Sequence, residues 1–266
     1  MTRSYLFRHA LLPAGFAENV RIRVEGGLIA AVERDAAPDR DRPVPGIAIP
    51  GVPNLHCHAF QRGMAGLAER RGPCPDSFWT WREVMYRFLG RLSPDDVEAI
   101  AALAYLEMLE RGFTSVGEFH YLHHDTDGRP YRDPVELAGR IVAAAAAVGI
   151  GLTLLPVFYA QGGFGGALPG EGQRRFVTDL DGFARLLERS REHAARLPST
   201  RVGIAPHSLR ASRSSTSLPL PASRPRGRFT FTPPSRSGRW RIAWPRRGAA
   251  RSRSCWTRRG WTSAGA

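Results

Sequence analysis

Pro53-Asn54-Leu55-His56-Cys57-His58 is the stretch on which the fold reading turns. Residues two apart on an extended chain face the same way, so His56 and His58 can grip one metal ion while Cys57 points to the other side. Two histidines one residue apart also arise by chance. Position gives this pair its weight: it ends a predicted strand directly after a small β unit, at the strand end where parallel barrels keep their sites.

Upstream, residues 1–50 read as short strands at Ser4–Arg8, Val20–Glu25, Leu28–Glu33 after a Gly26-Gly27 turn, and Gly46–Pro50. Downstream the pattern changes to strands alternating with helices. Ser93-Pro94-Asp95-Asp96 supplies an N-cap, a proline at the first helical position and acids in the first turn, and Gly112 supplies the stop, which predicts a helix near 94–111. Strands follow at Phe113–Phe119, Gly151–Tyr159 and Arg201–Ala205, and helices at Pro134–Val148 and Asp179–Arg196. Apolar strands alternating with helices predict a parallel sheet covered on both sides. Four such strands make half of a (β/α)8 barrel. The glycine-rich segment Gly162–Gly172 reads as a mobile loop, and with no P-loop lysine it does not read as a phosphate cradle.

The 266 residues allow one large or two modest domains with a buried core, and 42% hydrophobic with 23% charged residues excludes a wholly disordered chain. The net charge of +14 is unevenly spread. All 38 basic residues are Arg, and residues 212–266 hold 13 of them with no Asp or Glu, so the other 25 face 24 acidic residues. The nucleic-acid or membrane-surface partner that such a charge suggests therefore concerns the last 55 residues alone. Cys57, Cys74 and Cys255 are too few and too irregular for a disulfide framework, and Met1–Gly15 lacks the apolar core of an export signal; both point to the cytoplasm. Ile141–Ala160 is uncharged but broken by Gly149, Gly151 and Pro156, which argues against a membrane span.

Several separated motifs carry a resemblance. The β segment and the run Gly51–Gly63, which contains the His56/His58 pair, resemble the amidohydrolase superfamily. More narrowly, Phe78-Trp79-Thr80-Trp81-Arg82-Glu83-Val84-Met85-Tyr86, Gly117-Glu118-Phe119-His120-Tyr121-Leu122-His123-His124 and Gly203-Ile204-Ala205-Pro206-His207-Ser208-Leu209-Arg210-Ala211 resemble the formimidoylglutamate deiminases of histidine degradation. The resemblance covers residues 1–211. It implies an α/β fold: a partial (β/α)8 amidohydrolase barrel over 51–211, preceded by an N-terminal β-sandwich part over 1–50. It also implies one divalent metal, usually zinc, on His56 and His58, with Gln61, Arg82, Tyr121, His207 and Arg210 around the substrate. Formimidoylglutamate carries two carboxylates, and Arg82 and Arg210 are planar, permanently charged partners suited to them. Arg82 could equally form a helix ion pair beside Glu83, and Tyr121 could be plain core; His120, His123 and His124 read as loop or supporting residues.

The implied reaction is metal-dependent hydrolysis of the formimino group of N-formimino-L-glutamate to N-formyl-L-glutamate and ammonia. The family's proton-shuttling Glu, a further His and a late Asp have no counterpart, since the last His is His207 and the last Asp is Asp181. Residues 212–266 read as a disordered basic extension, except that four Trp sit badly in one. The genetic code offers another account. Phe229–Trp244 can be encoded by codons which, read one base earlier, give Val-His-Ile-His-Thr-Ala-Glu-Gln-Val-Gly-Glu-Val-Glu-Asp-Cys-Leu, the His-x-His-x-x-Glu-Gln motif that the family places there. A frameshift near residues 211–213 is therefore expected. The resemblance extends to a homodimer for the full-length family member. Two alternatives stand beside this reading: a related aminohydrolase acting on a purine-like amidine, for which two carboxylate clamps would be superfluous, and a basic nucleic-acid-binding fragment using the Arg and Trp of the tail.

Overall fold

The N-terminal strands pair as a hairpin-based sheet. In a computed structural model describing residues 2–69, 77–195, 197, 199–208 and 210–212, β1 (Thr2–Leu12) and β2 (Gly15–Glu25) run antiparallel from the Leu12–Gly15 corner. Strand β3 (Leu28–Glu33) continues antiparallel on β2, and β4 (Arg42–Ala48) lies parallel to β1, giving the order β3-β2-β1-β4. Both hairpin strands are longer than the sequence suggested, because the ladder continues through polar pairs such as His9 and Glu18 that show no apolar alternation. Strand β4 starts four residues earlier than expected and accepts Pro43 and Pro45, as an edge strand can. Arg21 ties this sheet together: its guanidinium reaches the Asp41 carboxylate at 2.8 Å and Glu33 at 2.9 Å. Ala10, Ala17 and Val20 are the only apolar side chains fully buried in this cluster.

The second sheet is parallel. Strands β5 (Val52–Cys57), β6 (Phe113–His120) and β7 (Gly151–Phe158) lie side by side, and both β8 (Thr200–Val202) and β9 (Ala205–Pro206) pair with β7. The single strand expected over Arg201–Ala205 is thus two pieces, interrupted at Gly203-Ile204. At Gly117 the strands approach so closely that a Cβ would lie 3.0 Å from the Leu55 carbonyl oxygen.

Four helices cover this sheet or its ends: α1 (Phe78–Leu89), α2 (Pro94–Glu110), α3 (Glu136–Val148) and α4 (Leu180–Ala194). The start of α2 is the one its sequence announces. Ser93 Oγ accepts the Asp96 N–H, and the Asp96 carboxylate accepts the Ser93 N–H at 2.9 Å. Ser77 and Thr80 form a second such box on α1, whose aromatic run hides its helical period from a pattern search. Helix α3 ends at Gly149, which takes the left-handed conformation (φ 85°) a side chain would oppose. The uncharged stretch Ile141–Ala160 is divided between α3 and β7, and among the described residues no helix is long and apolar enough to cross a membrane. The segment Gly162–Gly172 contains one short 3-10 turn, Phe164–Gly166, and leads into a second at Glu171–Gln173.

The core lies between sheet and helices, with Tyr105, Phe119, Leu137, Ile141 and Phe183 fully enclosed. Arg175 is buried in the loop after β7 and donates to the carbonyls of His124 (2.8 Å), Leu92 (3.0 Å) and Leu89, pinning the end of α1 to the loop after β6.

His120 and His123 are enclosed there as neutral imidazoles, with burial pushing their pKa values from 6.5 down to about 3 and about 4. Their folded-state pKa values lie below the unfolded ones, so protonation favours the unfolded chain. Stability should fall as pH drops below 6.5 towards 4. We expect a lower thermal midpoint at pH 5 than at pH 7.5. His123→Gln, which can still donate to the Val157 carbonyl that His123 Nε2 meets at 2.8 Å, should shed part of that slope. Glu118, whose pKa burial raises to about 7, acts in the opposite sense over the same window, so the test is the difference between the two chains: a slope unchanged in His123→Gln would contradict the neutral burial of that ring.

Candidate active site at the strand ends

The first residue past four of the five parallel strands belongs to one cluster. His58 follows β5, Tyr121 follows β6, Tyr159 follows β7 and His207 follows β9. Their rings meet edge to face: His58 to Tyr121 at 5.1 Å, Tyr121 to His207 at 5.5 Å, and His207 to Tyr159 at 4.6 Å between centroids. Phe119 forms the floor, 5.2 Å from both His56 and His58 and 5.9 Å from His207. Parallel strands deliver this arrangement because side chains at equivalent heights form a layer at the carboxyl end of the sheet.

His56 and His58 bring their Nε2 atoms within 3.1 Å of one another. His58 Nδ1 lies 2.9 Å from the Phe119 carbonyl oxygen, which can only accept, so the proton is on Nδ1 and Nε2 is bare. Two imidazole nitrogens on one zinc ion, each at about 2.0–2.1 Å in tetrahedral geometry, would stand roughly 3.3 Å apart. The pair fits a divalent metal. Burial lowers the pKa of His56 and brings that of His58 down to about 4, keeping both rings in the neutral form that metals bind. Among the described residues no set of three or more His, Cys, Asp or Glu is placed to hold one ion. Cys57, facing the other way as strand alternation requires, lies opposite Glu118 in the β5–β6 ladder.

The remaining expected residues converge on the same place. Gln61, in the 3-10 turn Ala59–Met64, donates to the Tyr121 hydroxyl at 3.0 Å. Tyr121 is buried, and that burial raises its pKa, so it stays a phenol. His207 is held neutral by burial and by the Arg210 charge, its pKa lowered to about 3. Arg82 projects from α1 and forms no ion pair with Glu83: its guanidinium carbon lies 4.4 Å from the Trp79 ring and 5.4 Å from the Tyr86 ring. Its Nε is buried without a hydrogen-bond partner. The charges of Arg82 and Arg210 both act on Tyr86 and on Tyr159, so the two guanidiniums share one neighbourhood. Among the described residues neither has a carboxylate within ion-pair distance.

Three members of this cluster escaped the sequence reading. Tyr159, whose hydroxyl Gln173 holds at 2.5 Å, could have been found as the polar tip of an otherwise apolar strand. Phe119 gave no signal beyond its apolarity. Glu118, a carboxylate inside an apolar strand, was visible but unassigned. His120 is the last residue of β6, His123 and His124 lie on the loop after it, and none is grouped with the His56/His58 pair.

Comparison with known proteins agrees with this geometry. Residues 7–43 match the formimidoylglutamate deiminase HutF N-terminal domain, and residues 47–212 match the amidohydrolase family. A formimidoylglutamate deiminase of Pseudomonas aeruginosa is 53% identical over 203 residues, which is 76% of this chain and 45% of that protein. The crystal structure of an amidohydrolase from Brucella melitensis superposes with a TM-score of 0.75 at 54% identity, covering 79% of this chain and 47% of that one. An atrazine chlorohydrolase from Arthrobacter aurescens TC1 in complex with zinc shares the fold, with a TM-score of 0.56 at 20% identity over 77% of this chain and 47% of its own. The chain therefore spans about half the length of these relatives. With the family pattern matched from residue 47 to residue 212, over a parallel sheet that carries a metal-competent histidine pair at its strand ends, the chain belongs to the amidohydrolase family.

Proposed function

We propose that this chain carries the first half of a formimidoylglutamate deiminase, an enzyme that hydrolyses the formimino group of N-formimino-L-glutamate to N-formyl-L-glutamate and ammonia. The observation that carries the reading is the pair of guanidiniums without carboxylates, Arg82 and Arg210, beside a pair of imidazoles poised for one metal. A buried Nε without a partner is costly, and a dicarboxylate substrate would relieve it. A purine-like ring would leave both charges uncompensated.

In this reading residues 51–211 supply the barrel half and residues 1–50 the preceding β unit. Arg82 and Arg210 bind the two substrate carboxylates. Tyr121, positioned by Gln61, and neutral His207 orient the formimino end through hydrogen bonds, while the aromatic floor limits water. His56 and His58 would hold a divalent metal, taken as zinc, which supplies Lewis acidity for water attack on the amidine carbon. The proton-shuttling carboxylate and the rest of the metal ligands have no counterpart in this sequence, which holds no His after His207, no Asp after Asp181 and no Glu after Glu192. The basic tail from residue 213 on lies outside the described residues, and the frameshift near residues 211–213 is retained as part of the proposal. A cytoplasmic location and dimerisation of the complete enzyme belong to the same reading.

Calorimetric titration of the chain with N-formyl-L-glutamate should show binding that Arg82→Met or Arg210→Met weakens by roughly tenfold to a hundredfold, the usual scale for a hydrogen bond to a charged group. Adenosine should not compete. Binding indifferent to both arginines would overturn the dicarboxylate assignment. Separately, resequencing the codons for Ser208–Pro233 should reveal one inserted or missing base, and the chain restored to frame should release ammonia from N-formimino-L-glutamate. Codons that cannot yield the second frame would end the frameshift proposal while leaving the binding prediction intact.

A further inference from the structure

Glu118 is fully buried in β6, and among the described residues no Arg or His forms an ion pair with it. Its carboxyl group is satisfied in another way. Oε1 accepts the backbone N–H of Ala59 at 2.8 Å, and Oε2 accepts the Tyr105 hydroxyl at 3.0 Å. Ala59 follows His58 in the chain. The next residue of β6, Phe119, accepts from His58 Nδ1 through its carbonyl. Adjacent residues of one strand thus hold the backbone just past His58 and the far side of its ring.

We propose that Glu118 is a positioning residue for the metal pair: by holding the Ala59 N–H it fixes the backbone from which His58 projects, so that Nε2 stays aligned with that of His56. The inference rests on His56 and His58 being metal ligands. The physical argument is one of cost. A buried carboxylate without a counter-charge is among the more expensive groups a core can hold, and an apolar side chain would pack β6 against α2 more cheaply. What the carboxylate uniquely offers is two acceptor oxygens, one for a backbone N–H that the turn after β5 leaves unmatched and one for Tyr105. Groups that orient a ligand from behind in this way commonly change metal affinity by roughly 10-fold to 100-fold when removed.

The test is zinc affinity of the full chain, read by competition with a chromophoric chelator, alongside its thermal midpoint. Glu118→Leu, similar in volume and unable to accept, should weaken zinc binding by about tenfold or more. Glu118→Gln retains an oxygen for the Ala59 N–H, and its amide can donate to the Tyr105 oxygen, so it should restore affinity to within about twofold. This split between Leu and Gln is not expected of a residue that merely fills space. Unchanged zinc affinity in a folded Glu118→Leu chain overturns the proposal. Should that variant fail to fold, Glu118→Met, unbranched and with no oxygen for the Ala59 N–H, takes its place; a loss of about threefold or more supports the positioning role, and no loss overturns it. A parent chain that binds zinc no better than its His56→Ala/His58→Ala variant would show that the metal reading itself has failed, an outcome distinct from a loss confined to Glu118.

Discussion

The parallel pairing of β5 with β6 is the constraint from which the site follows. Register places Cys57 opposite Glu118, and that single alignment sets three relations at once. The Phe119 carbonyl comes within reach of His58 Nδ1, the Phe119 ring slides beneath both imidazoles, and the Glu118 carboxylate meets the backbone just beyond them. A one-residue slip would exchange the two faces of β6, putting a carboxylate beneath the metal pair and a phenyl ring against Tyr105. Gly117 makes the alignment sterically possible, since any side chain there would press on the Leu55 carbonyl.

Electrostatics then shapes the site. Some arginines elsewhere meet more than one carboxylate: Arg21 meets Asp41 and Glu33, Arg140 meets Asp95, Glu98 and Glu136, and Arg189 meets Asp133 and Glu192. These exposed or half-exposed pairs contribute little stability individually, but they show that carboxylates are available where charge needs them. Around Arg82 and Arg210 the neighbours are instead neutral phenols and indole, and burial keeps Tyr86, Tyr121 and Tyr159 protonated. Positive charge left uncompensated beside aromatic rings favours an anionic ligand.

What could be read in the sequence was whatever local physics dictates. The Ser93-Pro94-Asp95-Asp96 start of α2, the Gly149 stop of α3 and the apolar strand β7 depend on cap geometry, glycine conformation and burial on both faces. The histidine pair was legible because alternation along a strand is a short-range rule. Helix α1 was not, since its aromatics do not mark its buried face: Phe78 and Trp79 are exposed, while Met85 and Leu89 are the buried side chains. Tyr159 and Glu118 were missed for the opposite reason: their meaning lies entirely in which strand sits beside them, information that sheet register holds and the linear chain does not. The break at Gly203-Ile204 depends in the same way on β7, which pairs with the chain on both sides of it.

The exposure of the metal pair is a property of sheet topology. Among the described residues β5 pairs on one side only, with β6, and its apolar side chains Val52 and Leu55 face solvent, Leu55 at 66%. His56 lies on this same strand and is itself exposed, whereas His58, one step nearer the Phe119 and Tyr121 rings, is half-buried. Whatever segment covered the free side of β5 would bury Leu55 and enclose His56 together, removing apolar surface from water while lowering the dielectric around the imidazoles. Covering the strand edge and enclosing His56 would therefore be one structural event. The energy for shaping this end of the sheet would come from burying the strand edge, while the alignment of the two histidines is already set by β5 and β6.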